Sequence, residues 1–226
     1  MHSAQAHPTS SSPPRRIEST FVVFSAVRPN SIVGIEFDRS HEPRMTPIAK
    51  PMLSHLGLYV RDLDRMVVFY TTLFGLQVTD RGESPVFHNT LVFMSADPNA
   101  HHQLVLASGR PADATFSTVM QLSFKVQAIQ ELRRLRVAAV DLGASHMRGV
   151  NHCNSFSLYF ADPEGNTVET YYDTPYYVAQ PHADPLNLEI SDANLLLETE
   201  TRCRADPTFM PADVWRRKFL ASNSDG

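Results

Sequence analysis

The sequence predicts an α+β fold: two βαβββ modules in tandem, followed by a C-terminal helical extension. Three observations predict it. A strand–helix–three-strand order is legible between residues 52 and 110, and the same order recurs between residues 117 and 173. Each module's helix runs into a glycine stop, Gly75 and Gly143. The last two strands are joined by Asp162-Pro163-Glu164-Gly165-Asn166, a turn in which Pro suits the early position and Gly the position of positive φ.

Composition narrows the classes. A chain of 226 residues that is 42% hydrophobic suits one or two compact domains with a sizeable core. The net charge of −4 points to neither nucleic acid nor an anionic membrane surface. No apolar run approaches the roughly 20 residues of a membrane span. The two cysteines, Cys153 and Cys203, imply no disulfide framework, so a reducing, cytoplasmic setting is expected.

Residues 1–44 differ from the remainder. Ser10, Ser11 and Ser12 followed by Pro13-Pro14-Arg15-Arg16 form a low-complexity start, expected to be a disordered or weakly ordered extension. Met45 would serve as an alternative start, so this extension is expected to be dispensable.

Module one begins near Met52. Ser54-His55-Leu56-Gly57-Leu58-Tyr59-Val60 reads as a strand. Asp62 is a plausible N-cap, and Leu63, Met66, Val67 and Tyr70 follow at helical spacing. Residues from 76, residues 89–95 and residues 103–107 read as the three further strands. In module two, residues 119–126 form a strand. Residues 128–142 form a helix with Ile129, Leu132, Leu135 and Ala139 near one face. Residues 145–148, 155–160 and 167–172 form the closing strands. Two weakly similar copies of one unit suggest halves packed by pseudo-symmetry.

Residues 174–226 read as an extension packing on this core: an extended aromatic start with Tyr176 and Tyr177, a helix after Ser191, and a short last helix over residues 214–220. The tyrosines could instead belong to a flap over the site.

Glu169 is the residue that asks for an explanation. A carboxylate among Val168, Tyr171 and Tyr172 is costly unless it is bonded, paired or on a metal. His55 and Gln121 hold equivalent places in the first strands of the two modules. If the halves face each other, both come beside Glu169, and imidazole nitrogen, amide oxygen and carboxylate suit a divalent first-row ion. Taken alone, His55 reads equally as a satisfied core histidine, and Gln121 as a glutamine bonded to backbone.

At this point the chain resembles the vicinal oxygen chelate superfamily, which holds glyoxalase I, bleomycin- and fosfomycin-resistance proteins and the type I extradiol dioxygenases. The resemblance covers residues 52–173. It rests on the strand around His55, on Phe69-Tyr70 and Leu73-Phe74-Gly75-Leu76, and on the block from Leu158 to Glu169. It implies paired βαβββ modules in an open, U-shaped mixed sheet around a metal, and a homodimer.

The closest branch is the extradiol dioxygenases. His101-His102 followed by Gln103-Leu104-Val105-Leu106-Ala107 resembles their acid/base segment, which places that role on His102. Tyr159 matches their active-site tyrosine, and His152 lies where they carry another polar site residue. The resemblance therefore implies Fe(2+), with Mn(2+), Zn(2+) or Ni(2+) as alternatives. His55, Gln121 and Glu169 would be ligands, and a small aromatic diol and O2 the substrates. By residue type alone, His101, His102 and His152 read as loop residues and Tyr159 as strand packing. Gln121 departs from the branch, which has histidine there. That departure keeps open a glyoxalase-like isomerase or lyase, and a non-catalytic binding protein of the same fold.

Overall fold

The computed structural model describes residues 51–222. The expectations for residues 1–44 lie outside the described residues. Module one runs β1 (Leu56–Val60), α1 (Leu63–Phe74), β2 (Gln77–Glu83), β3 (Thr90–Ser95) and β4 (Leu104–Ser108). Module two runs β5 (Leu122–Lys125), α2 (Ile129–Asp141), β6 (Ser145–Asn151), β7 (Ser155–Ala161) and β8 (Thr167–Asp173). The extension adds β9 (Tyr176–Tyr177), β10 (Asp184–Pro185), α3 (Asp192–Cys203), β11 (Met210–Pro211) and α4 (Ala212–Ser222).

The two modules make matching sheets, ordered β1-β4-β3-β2 and β10-β6-β7-β8-β5. In each, the module's first strand pairs in parallel with its last, Leu56 against Leu104 and Leu122 against Val168. β1 and β5 are therefore outer strands, each with one unpaired edge among the described residues.

Local chemistry accounts for the helix ends. The Asp62 carboxylate accepts from Arg65 N at 3.0 Å, and Gly75 stops α1 in the left-handed region at φ 66°. Alternation then sorts each strand. Leu58, Val60, Leu104, Leu106, Leu122, Leu158, Phe160 and Val168 enter one shared core with Met66, Phe69 and Tyr70 of α1. Phe74 of α1 stacks on Phe124 of β5, with ring centroids 3.8 Å apart. The residues between these positions, His55, Tyr159 and Glu169 among them, fall on the opposite face of their sheets.

The turn between β7 and β8 does more than reverse the chain. The buried Tyr70 hydroxyl donates to Asp162 Oδ2 at 2.8 Å, and the Glu164 carboxylate accepts from Arg61 N and Asp62 N at 2.7 Å each. An anion at the N-terminus of α1 also meets the helix dipole favourably. Module two thus holds the start of the module-one helix.

The extension packs on module two. Leu188 and Leu195 enter a cluster with Ile129, Leu132 and Phe156. Tyr176 packs with Phe209, and Tyr177 stacks on Trp215, so both tyrosines are engaged within the extension. One expectation is corrected here: Cys153 and Cys203 form a disulfide, Cα to Cα 6.2 Å, buried with Val178. It ties α3 to the turn between β6 and β7. The two cysteines lie 50 residues apart in sequence, and only the return path of the extension brings them together.

Candidate functional site

Strand register places four side chains in one row across module two. Arg148 on β6 is the partner of Tyr159 on β7, Tyr159 of Glu169 on β8, and Glu169 of Ser123 on β5. Residues directly opposite in neighbouring strands share a face, so the row runs cation, phenol, carboxylate, hydroxyl on the side away from the core. Glu169 is only 7% exposed. Its Oε2 accepts from Ser123 Oγ at 2.6 Å and from Gln121 Nε2 at 2.8 Å, and Gln121 also donates to Ser123 Oγ at 3.0 Å. These donors make a buried carboxylate tolerable.

Tyr159 links this row to the β6–β7 turn. Its hydroxyl lies 3.0 Å from His152 Nε2, while His152 Nδ1 lies 2.6 Å from the His182 carbonyl. A carbonyl only accepts, so Nδ1 carries the proton and Nε2 accepts from the phenol. Burial first, and then the Glu169 carboxylate, push the Tyr159 hydroxyl up to about 12, against the opposing pull of Ser157 and Arg148. The Arg148 guanidinium lies over the Tyr159 ring, 5.3 Å from its centroid.

Module one has an equivalent row, in which Asp80 is the partner of Phe93, Phe93 of Val105 and Val105 of Gly57. Apart from Asp80, its polar groups lie just before the strands instead. His55 and His102 have ring centroids 4.2 Å apart. His102 Nδ1 is 2.9 Å from His101 Nδ1, and His101 Nε2 is 2.7 Å from Asp80 Oδ2. Loss of solvent, and then the neighbouring His55 and His101, lower the His102 pKa from its usual value.

The sequence-derived residues therefore fall into two groups. Gln121, Glu169, Tyr159 and His152 are joined by contacts in module two, and His55 and His102 are joined in module one. Among the described residues no hydrogen bond or ring contact joins the groups, and no three His, Cys, Asp or Glu side chains lie close enough together to hold an ion. The donor types nevertheless fit a divalent first-row ion: a carboxylate on β8, an amide oxygen at the start of edge strand β5, and an imidazole at the start of edge strand β1. A cavity of 1030 Å³ opens between the modules, lined by Leu53, Leu56, Phe74, Gln103, Gln121 and Ser123 among others. It reaches Gln121 but not Glu169, so it adjoins the carboxylate and does not contain it.

Sequence reasoning missed three contributors. Ser123 was legible as the partner of Glu169 once β5 was known to pair in parallel with β8. Arg148 was hidden by a register shift between Ser145 and Arg148, which breaks the alternation of β6. His182 supplies the carbonyl that orients His152.

The uncharacterized protein PA2024 of Pseudomonas aeruginosa is 28% identical over 131 residues, covering 55% of this chain and 91% of its own. A glyoxylase/bleomycin resistance protein/dioxygenase domain from Frankia sp. EAN1pec is similar in structure at 23% identity and a TM-score of 0.48, over 56% of this chain and 94% of its own. The fosfomycin resistance protein FosX from Listeria monocytogenes, solved with Mn(II) and sulfate, is similar at 20% identity and a TM-score of 0.45, over 56% and 95%. The profile of the Glyoxalase/Bleomycin resistance protein/Dioxygenase superfamily, whose members include metal-dependent enzymes, matches residues 52–170, and the chain belongs to that superfamily.

Proposed function

We propose that this protein is a metal-dependent enzyme that binds a small molecule through two neighbouring oxygens, and that its reaction is extradiol-type cleavage of a catechol-type diol with O2. The observation that carries this reading is Glu169. It is a buried carboxylate on the face away from the core, bonded to Gln121 and flanked by a phenol that is itself bonded to an imidazole. Glu169, Gln121 and His55 would hold the ion, Fe(2+) in the first instance, with Mn(2+), Zn(2+) or Ni(2+) as alternatives. When bound, the ion supplies Lewis-acid and redox chemistry to a chelating substrate.

The chain's own residues orient and protonate. With its proton on Nδ1, His152 keeps Nε2 as an acceptor for Tyr159. Tyr159 stays protonated through the neutral range, gives that proton to His152 Nε2, and keeps its oxygen as an acceptor on the face it shares with Glu169. His102, against the ring of His55, takes the acid/base role that the resemblance implies.

His55 lies at the start of the open-edged strand β1, and Glu169 lies on β8, one strand in from the open edge of β5. A homodimer that sets β1 of one copy beside β5 of the other would complete the ligand set, and this is the assembly we propose. Anaerobic loading with iron(II) and a catechol, followed by oxygen, should give a yellow ring-opened product. Colourless, unchanged substrate across a panel of catechols would sink the dioxygenase reading.

Gln121 favours a second reading, a glyoxalase-like isomerase or lyase, because a neutral amide is a weaker donor than imidazole for an oxygen-activating iron. Retention of zinc, nickel or manganese, without oxygen uptake, would select it.

A further inference from the structure

We propose that Arg148 binds an acidic group on the substrate, so that the ligand of this site is a small molecule carrying a carboxylate as well as its chelating oxygens. The inference rests on the metal-site reading above and adds the substrate's charge to it. Arg148 stands in register with Tyr159, and Tyr159 with Glu169. Strands lie about 4.8 Å apart, so Arg148 and Glu169 are separated by on the order of 10 Å along one face. A single aromatic ring with an acidic substituent opposite its chelating oxygens fits that span.

The guanidinium is held over the Tyr159 ring, which fixes the side chain along the row and leaves the hydrogen-bonding edge of its planar fork available. Arg148 makes no ion pair among the described residues. Lys125 also lies on this face, in the next row, but its ammonium is taken by Asp173 at 2.5 Å. Among the described residues, Lys125 is thus committed to Asp173 and Arg148 has no carboxylate partner. A guanidinium recognises a carboxylate through two parallel hydrogen bonds.

The test compares two probes, 3,4-dihydroxybenzoate and unsubstituted catechol. Their binding to the iron(II)-loaded full chain is measured by calorimetry without oxygen. Wild type, Arg148→Gln and Arg148→Lys are compared at equal iron content. Wild type should prefer the carboxylate by about tenfold or more. Arg148→Gln should bring the ratio close to one, and Arg148→Lys should keep part of the preference. Catechol binding with no preference in wild type, or a preference that survives Arg148→Gln, would overturn the role of Arg148 and leave the metal reading standing. Loss of the preference in both variants together with a fall in thermal stability would mark a packing role and overturn it too. Failure of wild type to bind iron or either probe would overturn both readings.

Discussion

Gln121 donates its side-chain amide to Glu169 at 2.8 Å, from the start of one strand to the middle of its parallel partner. In this arrangement the amide nitrogen faces the carboxylate, so ion binding requires Gln121 to turn its oxygen inward. Glu169→Gln keeps the volume and removes the charge. It should fold and lose divalent-ion affinity by about 100-fold or more, because even neighbours of ligands matter by roughly 10–100-fold. Gln121→His should tighten iron(II) by about tenfold, since imidazole is the better donor. Metal content after dialysis against graded chelator measures both. Unchanged affinity in Glu169→Gln would remove the metal centre.

Tyr159 should be visible in a pH titration. Its hydroxyl is pushed up to about 12, whereas an unfolded tyrosine titrates near 10. Between those values the unfolded chain loses this proton first. The stabilisation is therefore complete below about pH 10 and is lost as pH rises through about 12. A wild-type minus Tyr159→Phe difference spectrum near the tyrosinate band should show one group titrating at about 12. Thermal stability should fall less steeply over that range in the variant. A difference titration near 10 would show that Glu169 and Tyr159 do not share a buried site.

The parts of the fold and site legible in the sequence are those that local patterns determine. Asp62 and Gly75 bracket α1 because capping is local chemistry, and the equivalence of His55 and Gln121 is a repeat visible by eye. Glu169 was conspicuous because it is charged in an apolar strand. What stayed hidden depends on long-range geometry. The Cys153–Cys203 bond follows the path of the extension. Asp162 and Glu164 read as turn residues, and they are, but the sequence does not show that they reach Tyr70 and the start of α1 from 92 and 102 residues away. Whether His55 meets Glu169 is a question of how edges associate, which alternation within a strand cannot answer.

Tyr70 and Asp162 join the modules through one buried hydrogen bond. Asp162 Oδ2 also accepts from Asn166 Nδ2, and its Oδ1 accepts from the backbone of Glu164 and Asn166. Tyr70→Phe removes one donor and leaves the carboxylate less satisfied, with the ring still packed. The expected cost is about 1–3 kcal/mol in urea unfolding. A neutral result would show that the other three donors suffice.

The disulfide closes a long loop, Cys153 and Cys203 being 50 positions apart in sequence. Chain-entropy reasoning gives it about 4 kcal/mol at this loop length. The double Ser variant should unfold at lower denaturant concentration by that order. His152, next to Cys153, should then hold Tyr159 less firmly. Intact mass under non-reducing conditions, with and without thiol alkylation, tests the bond directly. Two alkylatable thiols in the native protein would show that the cysteines remain reduced.

The proposed two-copy metal site makes a prediction that a single-chain site does not share. His55→Ala and Glu169→Gln should each be inactive as homodimers, because every site lacks one ligand. In a mixed dimer, the Glu169→Gln copy still carries His55 and the His55→Ala copy still carries Glu169. One site per mixed dimer then regains both. Unfolding the two variants together and refolding them should restore metal binding and activity to a fraction set by the statistics of mixing. A site built within one chain would stay broken in both partners. Recovery places the two halves on different copies. Its absence, with mixed dimers verified by native mass spectrometry, would return His55 to its other reading, a histidine stacked on His102 with no part in holding an ion.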